Sequence, residues 1–431
     1  MRFLKNTIVL FSALLFIQCK NNNKEIVSST FIDSLITNYK TPKEIVLNKE
    51  EMLFWKSRIK NEDFDMVNRT KYASTLVNRF TLLGDITDVK KADSLLLKVE
   101  ELFNNKEAGP FLSLTYNAIM QHHFKEANDY LRKAKGIGIK NAENYAATFD
   151  VDFELGNIKN ASENLEKMEY KNEYGYLFRK SKMEHYNGNL EESITNMQKA
   201  GILATANPSL QSTVLSNVGD LYSHQGKFNL AYDSYKKSLQ VNSADLHSLM
   251  GIGLIALANN NTALAKKIFE FVQTKTKSPD PLYKLILVAQ QKQNKVEELK
   301  YAKQFEAVVT DSIYGNMYTK YLIQLYTGSL KNPSKAETLA KKELLNRATP
   351  QTYSWYAYSL LANNKGNEAN TIYKKYISGK PLEALELYYM GKLMEANKKG
   401  YNAKEFFKAA NENFYDLSPN FARDLKSKLE E

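Results

Sequence analysis

The sequence predicts an all-α protein built as a solenoid of stacked helical hairpins, and three observations carry that prediction. Small residues recur at near-constant spacing along most of the chain, Gly- and Asn-containing turns fall between helical stretches, and prolines collect between the units. With 9 prolines and 18 glycines in 431 residues, there is too little of either for long linkers or many β-turns. A composition of 43% hydrophobic and 25% charged residues is that of an ordinary folded protein, which sets aside disordered, collagen-like and disulfide-rich classes. A repeat array also accommodates this length, because it grows without needing a larger core.

The small residues are Ala92, Ala127, Ala161, Ser193, Ala231, Ala265, Ala336, Ala369 and Ala403, with Leu299 filling the one gap, and successive steps run from 32 to 38 residues. Four positions later stand Leu96, Leu131, Leu165, Met197, Tyr235, Phe269, Lys303, Ala340, Tyr373 and Phe407, most of them large and apolar. A small residue followed at i+4 by a large one marks a helix face that lets a neighbour approach and then fills the space beyond. Upstream lies a second helical stretch, clearest in Leu215-x-x-Val218-Gly219-x-x-Tyr222, Leu249-x-x-Ile252-Gly253-x-x-Ala256 and Leu387-x-x-Met390-Gly391-x-x-Met394. Between the two stretches sit turn segments such as Glu154 to Asn157, Asn187-Gly188-Asn189, Gln225-Gly226-Lys227 and Asn363 to Asn367. Gly or Asn closes a helix there in the left-handed conformation. Pro110, Pro208, Pro279, Pro281, Pro350 and Pro381 fall between units, where proline can begin a helix but not continue one.

These units resemble tetratricopeptide repeats, whose helix–turn–helix carries W-x2-L-G-x2-Y, then A-x3-F, then P. The unit from 212 to 245 fits well, with Val218, Gly219, Tyr222, Ala231 and Tyr235 at the signature places and Ser243 replacing the proline. Trp is missing from its place in every unit, and the 279–315 unit has Leu299 and Lys303 where Ala and an aromatic are expected. Ten such units cover residues 73–416. Residues 26–72 hold two apolar-periodic stretches expected to shield the first repeat, and residues 417–431 read as a capping helix that solvates the far end.

The resemblance implies a right-handed superhelix whose concave face is lined by the first helix of each pair. Carried over unit by unit, it points to Tyr116, Asp150, Phe153, Phe178, Lys182 and His185 in the first half of the array. In the second half it points to Asp220, His247, Lys284, Tyr321, Tyr358, Tyr388 and Lys392. Aromatic rings interleaved with sparse charges suit a protein or peptide partner, since rings give contact area at little entropy cost and charges set register. The clustered Lys, Arg and Asn set with which some members grip a terminal carboxylate is not found.

The N-terminus reads as an export signal. A basic start, Met1 to Asn6, precedes an apolar run from Thr7 to Ile17 that is shorter than the ~20 residues a membrane-spanning helix needs. Cys19 follows directly, and as the single cysteine it allows no internal disulfide. It resembles the lipid-modified cysteine of bacterial lipoproteins, although Phe16-Ile17-Gln18 departs from that family's usual residues. The expectation is a leader over 1–18, a lipidated Cys19 with a polar tether over 19–25, and anchoring to a membrane, the outer one being favoured.

The net charge of +11 allows nucleic acid as a partner, but an exported and tethered protein meets little of it, so no nucleic acid is expected. Lysines at 98, 133, 167, 199, 237, 342 and 375 recur in phase with the repeats, as a solvated face of the second helices would place them. No H-E-x-x-H, G-x-S-x-G, phosphate-loop or dinucleotide string is present, and Asp150, Asp152 and Glu154 sit two apart, pointing to different sides of a helix. The expected function is therefore a non-enzymatic envelope adaptor that needs no cofactor or metal. The alternative is a surface lipoprotein that binds glycans or nutrients on an aromatic platform. That class interrupts its repeats with long insertions, and the near-constant phase here argues against it.

Overall fold

A computed structural model of the protein describes residues 25–60, 65–398 and 403–430, and among them there is no β-strand. Two helices, α1 (Ser29–Thr37) and α2 (Lys43–Arg58), precede ten antiparallel pairs. The first five pairs are α3 (Met66–Leu83) with α4 (Ile86–Leu102), α5 (Ala108–Met120) with α6 (Phe124–Ile137), α7 (Asn141–Leu155) with α8 (Ile158–Glu166), α9 (Tyr174–Tyr186) with α10 (Leu190–Leu203), and α11 (Pro208–His224) with α12 (Phe228–Val241). The next three are α13 (Leu246–Ala258) with α14 (Thr262–Gln273), α15 (Asp280–Gln291) with α16 (Lys295–Val309), and α17 (Thr319–Thr327) with α18 (Pro333–Asn346). The ninth couples α19 (Pro350–Ala362) to α20 (Gly366–Ile372), which runs on as a π-helical turn over Tyr373–Ile377, and the tenth is α21 (Ala384–Asn397) with α22 (Ala403–Glu412). The helix α23 (Pro419–Glu430) ends the chain. The leader and Cys19 lie outside the described residues.

Local chemistry explains the punctuation. Among the described residues, each pair's turn has a residue of positive φ: Gly84, His122, Gly156, Gly188, Gly226, Asn260, Gln293, Lys331, Asn364 and Lys398 in order. Six of these are Gly or Asn, which hold the conformation readily; the side chains at the other four make it cost about 1 kcal/mol or more. Pro208, Pro333 and Pro350 open their helices, and Asn207, Asp245, Asn261, Asn294 and Asn332 each accept a backbone N–H from the first turn.

The repeat signature works as a packing rule. A Cβ at Gly219 would lie 2.4 Å from the Tyr235 ring, one at Gly253 2.5 Å from Phe269, and one at Gly391 2.4 Å from Phe407. In each pair the glycine of the first helix makes room for the ring sixteen positions on, and burying such a ring contributes about 2–3 kcal/mol. Ala127, Ala161, Ser193, Ala231, Ala265, Ala336 and Ala369 each donate a backbone N–H to the residue capping their helix. In the seventh pair that place belongs to Glu298, which bonds to Asn294, so the expected register is off by one there. Leu299 is exposed, while Glu298 is 1% exposed and held by Gln290, Lys295 and Asn420. A buried carboxylate with three partners does the spacing that a small side chain does elsewhere.

The flanks differ from expectation. α3 begins at Met66, inside the segment expected to precede the repeats. α2 shields α3, with Met52 and Trp55, and Ile59 just beyond the helix, packed against the cluster that includes Tyr72 and Leu76. α1 instead lies far from the first repeat, against α12 and α14. The Ser28 N–H donates to the Tyr232 hydroxyl, Lys267 pairs with Asp33 at 2.7 Å, and Tyr39 packs edge-on against Phe271 at 5.2 Å. α23 turns back into the concave face rather than only solvating the last pair. Phe421 meets Tyr388 at 5.0 Å, Leu425 is fully buried, and Arg423 donates to the Gln290 carbonyl of α15.

Each turn of the superhelix touches the next. The Lys277 N–H donates to the Leu83 carbonyl at 2.7 Å, and the Lys277 ammonium pairs with Asp85. Asn346 donates to the His122 carbonyl, Arg347 lies 4.7 Å over the Phe124 ring, and a Cβ at Gly156 would meet Thr349. His224 pairs with Asp416 at 2.6 Å, and Phe228 packs on Tyr415. The connection within an early pair thus rests on chain about six pairs further along.

Candidate functional site

The first helices of the pairs line the interior of the superhelix, where most of the residues picked out by sequence gather into small groups. Asp150 on α7 accepts both nitrogens of Arg179 on α9, at 3.1 Å from Nε and 2.5 Å from Nη2. The Tyr116 hydroxyl adjoins this pair; burial first, then the Asp150 charge, raises its pKa. Phe178 stacks on Tyr174 at 5.8 Å, within the core of its own pair. Asp220 accepts the Tyr235 hydroxyl at 2.6 Å and pairs with His247 at 2.8 Å. Burial opposes charge on His247, but the bond to Asp220 outweighs it and raises the imidazole pKa to about 9. Lys284 stands near His247 and lies 5.9 Å over the Tyr283 ring. With Tyr318 and the Gly84 turn, Asp220 and His247 border a lumen cavity of about 480 Å³.

The lower part of the groove is occupied by the chain itself. Tyr388 is 3% exposed and donates to Asp424 of α23 at 2.7 Å. Lys392 pairs with the same carboxylate at 3.2 Å, and Tyr358 stacks face to face on Tyr389 at 3.8 Å. Tyr321 lies against Tyr283 at 4.1 Å. For Tyr358, Tyr388 and Lys392 the expectation of an open partner-binding face is therefore corrected. An amphipathic helix with Phe421, Leu425 and Leu429 four apart finds its apolar cover on that face rather than at the end of the array.

The upper part stays open and borders a cavity of about 1230 Å³, between the third pair and α9 above and the eighth to tenth pairs below. Phe153, Lys182 and His185 line it from above. Lys182 bonds Glu154 at 2.6 Å and lies 4.5 Å over the Phe153 ring. Burial pushes the Glu154 carboxyl up, but Lys182 and then Arg347, 3.6 Å away, hold it below its usual range. Burial and the neighbouring His224 lower the His185 pKa.

Among the cavity residues that escaped sequence reasoning are Lys320, Arg347, Trp355, Tyr376 and Glu386. Glu386 is fully buried; the Trp355 indole N–H donates to its Oε1 at 2.7 Å, while Oε2 has no hydrogen-bond partner. Burial raises its pKa, against the lowering influence of Lys320. The only available signal was a Glu at an otherwise apolar helix position, Ala384-Leu385-Glu386-Leu387. Among the described residues no group of three or more His, Cys, Asp or Glu could hold a metal ion, and no helix is long and apolar enough to cross a membrane. The arrangement offers hydrogen bonds, charge and ring faces to a ligand.

No protein-family profile matches the chain, and no curated protein matches it. Among solved structures it is similar to PilF of Pseudomonas aeruginosa, at 18% identity and a TM-score of 0.36, over 50% of this chain and 97% of that one. A tetratricopeptide repeat protein from Parabacteroides merdae shares 19% identity over 60% of this chain and 99% of its own, with a TM-score of 0.36. Human IFIT1, solved as a dimer with PPP-AAAA, shares 12% identity over 77% of each chain, with a TM-score of 0.47.

Proposed function

We propose that the protein is a non-enzymatic adaptor of the bacterial cell envelope, which holds a protein or peptide inside its superhelix and is tethered to a membrane through a lipidated Cys19. The observation that carries this reading is the contrast within the groove: α23 covers Tyr388 and Lys392, whereas Tyr116, Phe153 and Lys182 face open space. An open wall of rings and fixed ion pairs is pre-organised, so a partner binds without first ordering the protein. The anchor rests on the sequence of the first nineteen residues, and an outer-membrane location is its extension.

In-cell crosslinking followed by pull-down tests the groove. Tyr116→Ala combined with Lys182→Ala should remove the partner recovered with the natural protein, and an unchanged set of partners would refute the reading. Fractionation of Cys19→Ala tests the tether, since continued sedimentation with membranes would exclude lipid anchoring.

A further inference from the structure

The superhelix is sealed turn upon turn beside the first, second, third and fifth pairs, but not beside the fourth. No hydrogen bond or ion pair among the described residues joins Asn187, Gly188 or Asn189 to the turn below, and a Cβ at Gly188 would meet nothing within 4 Å. The 1230 Å³ cavity lies next to this break, roofed by the third pair and by Lys182, His185 and Tyr186 of α9, and is large enough for several residues of extended chain.

Its walls are charged unevenly. Glu154 is taken by Lys182 and Arg347, and Glu383 lies 3.9 Å from Lys320. Lys159, Lys375 and Lys380, all exposed on the lining, have no ion pair among the described residues, against one exposed carboxylate without one, Glu163. A second observation points to a ligand. Glu386 is buried on the cavity lining with one oxygen fixed by Trp355 and the other without a protein hydrogen-bond partner. The unpartnered Glu386 oxygen is a hydrogen-bonding position that a peptide group, which carries both a donor and an acceptor, can satisfy. The wall beside it carries the π-helical turn, a geometry frequent at functional sites, which sets Tyr376 parallel to Tyr353 at 4.0 Å.

We infer that the slot between superhelical turns binds an acidic peptide segment, its backbone meeting Glu386 and its carboxylates meeting Lys159 and Lys380. This rests on the protein-binding reading above and names where, and with what chemistry, that binding occurs. An oligosaccharide fits less well, because the lining's ring faces are partly taken: Tyr353 and Tyr376 turn one face to each other, Lys182 lies over Phe153, and Trp355 is 3% exposed.

The test uses the full chain and a fluorescent peptide of about ten residues alternating Glu and Ser, read by anisotropy at fixed ionic strength. Lys159→Glu with Lys380→Glu should weaken binding about tenfold or more, while reversal of the exposed Lys199 and Lys237 should change it within about twofold. Glu386→Gln, which keeps a hydrogen-bonding group of the same shape, should bind within about threefold of the natural protein; Glu386→Leu should lose about tenfold with its melting curve intact. Equal losses in both lysine pairs would reduce the effect to overall charge and overturn the proposal, as would unchanged binding by the first pair. Tighter binding of an acidic oligosaccharide than of the peptide would also overturn it. Should Tyr116→Ala, outside the slot, abolish partner capture while the Lys159 and Lys380 pair leaves it intact, the adaptor reading stands and the slot fails.

Discussion

The lower groove, from the seventh pair to the tenth, and the upper groove around the fourth are built from the same helix positions, yet they end in opposite states. Below, α23 lies along the wall and its Leu425 is fully buried, so that one continuous apolar cluster runs from Val27 to Leu425. Above, three smaller clusters serve the early pairs, and the wall carries charge pairs and water-facing rings. Position within a repeat therefore fixes where a side chain points but not whether it is free to bind. The lower half has spent its concave surface on stability, and the upper half has kept it for a ligand.

The comparison is tested most strongly at Leu425. Leu425→Ala should cost about 3 kcal/mol by denaturant unfolding, whereas Phe153→Ala in the upper wall, half-buried, should cost about half as much. Equal losses would erase the distinction between the two halves. A smaller effect is expected at Gly391→Ala, whose new methyl would press on Phe407 and cost about 1–3 kcal/mol by overpacking.

The His247–Asp220 pair gives a pH signature in the upper lumen. Because the folded-state pKa of His247 is raised to about 9, its stabilisation is complete below the imidazole's ordinary pKa and disappears as pH rises through about 9. The melting temperature of His247→Gln should thus fall short of the natural protein's near neutral pH and converge with it above pH ~9.5, with no more than about 1 kcal/mol at stake because the imidazole is exposed to water. The smallest effect belongs to Lys380→Ala, exposed and unpaired, which should leave stability within about 0.5 kcal/mol. A larger loss there would mean that the slot is structural.

Much of the fold was legible because each repeat obeys a local rule. The spacing from Gly219 to Tyr235, and from Gly253 to Phe269, encodes one close approach and one filled space, and periodicity exposes it directly. The rule misplaced the seventh pair because Glu298 performs the small residue's task through hydrogen bonds, which a pattern of size cannot reveal. Contacts between superhelical turns were invisible for another reason. Gly84 against Ser278, or Gly226 against Tyr415, joins single residues nearly two hundred positions apart and repeats nothing. The same holds for Tyr39 on Phe271, which takes α1 away from the first repeat, and for Trp355 with Glu386, whose pairing spans two units. Of the candidate site, the rings and charges of the first helices could be read, but not α23 lying over them.

Contact between successive turns also has a mechanical meaning. A spring wound until its coils meet resists further compression and can only be stretched, and the bonds linking Leu83 to Lys277 and His122 to Asn346 hold this one near that limit. An occupant wedged at the fourth pair could lengthen the pitch only by loading those clasps, so tension applied at one end would be felt at the other.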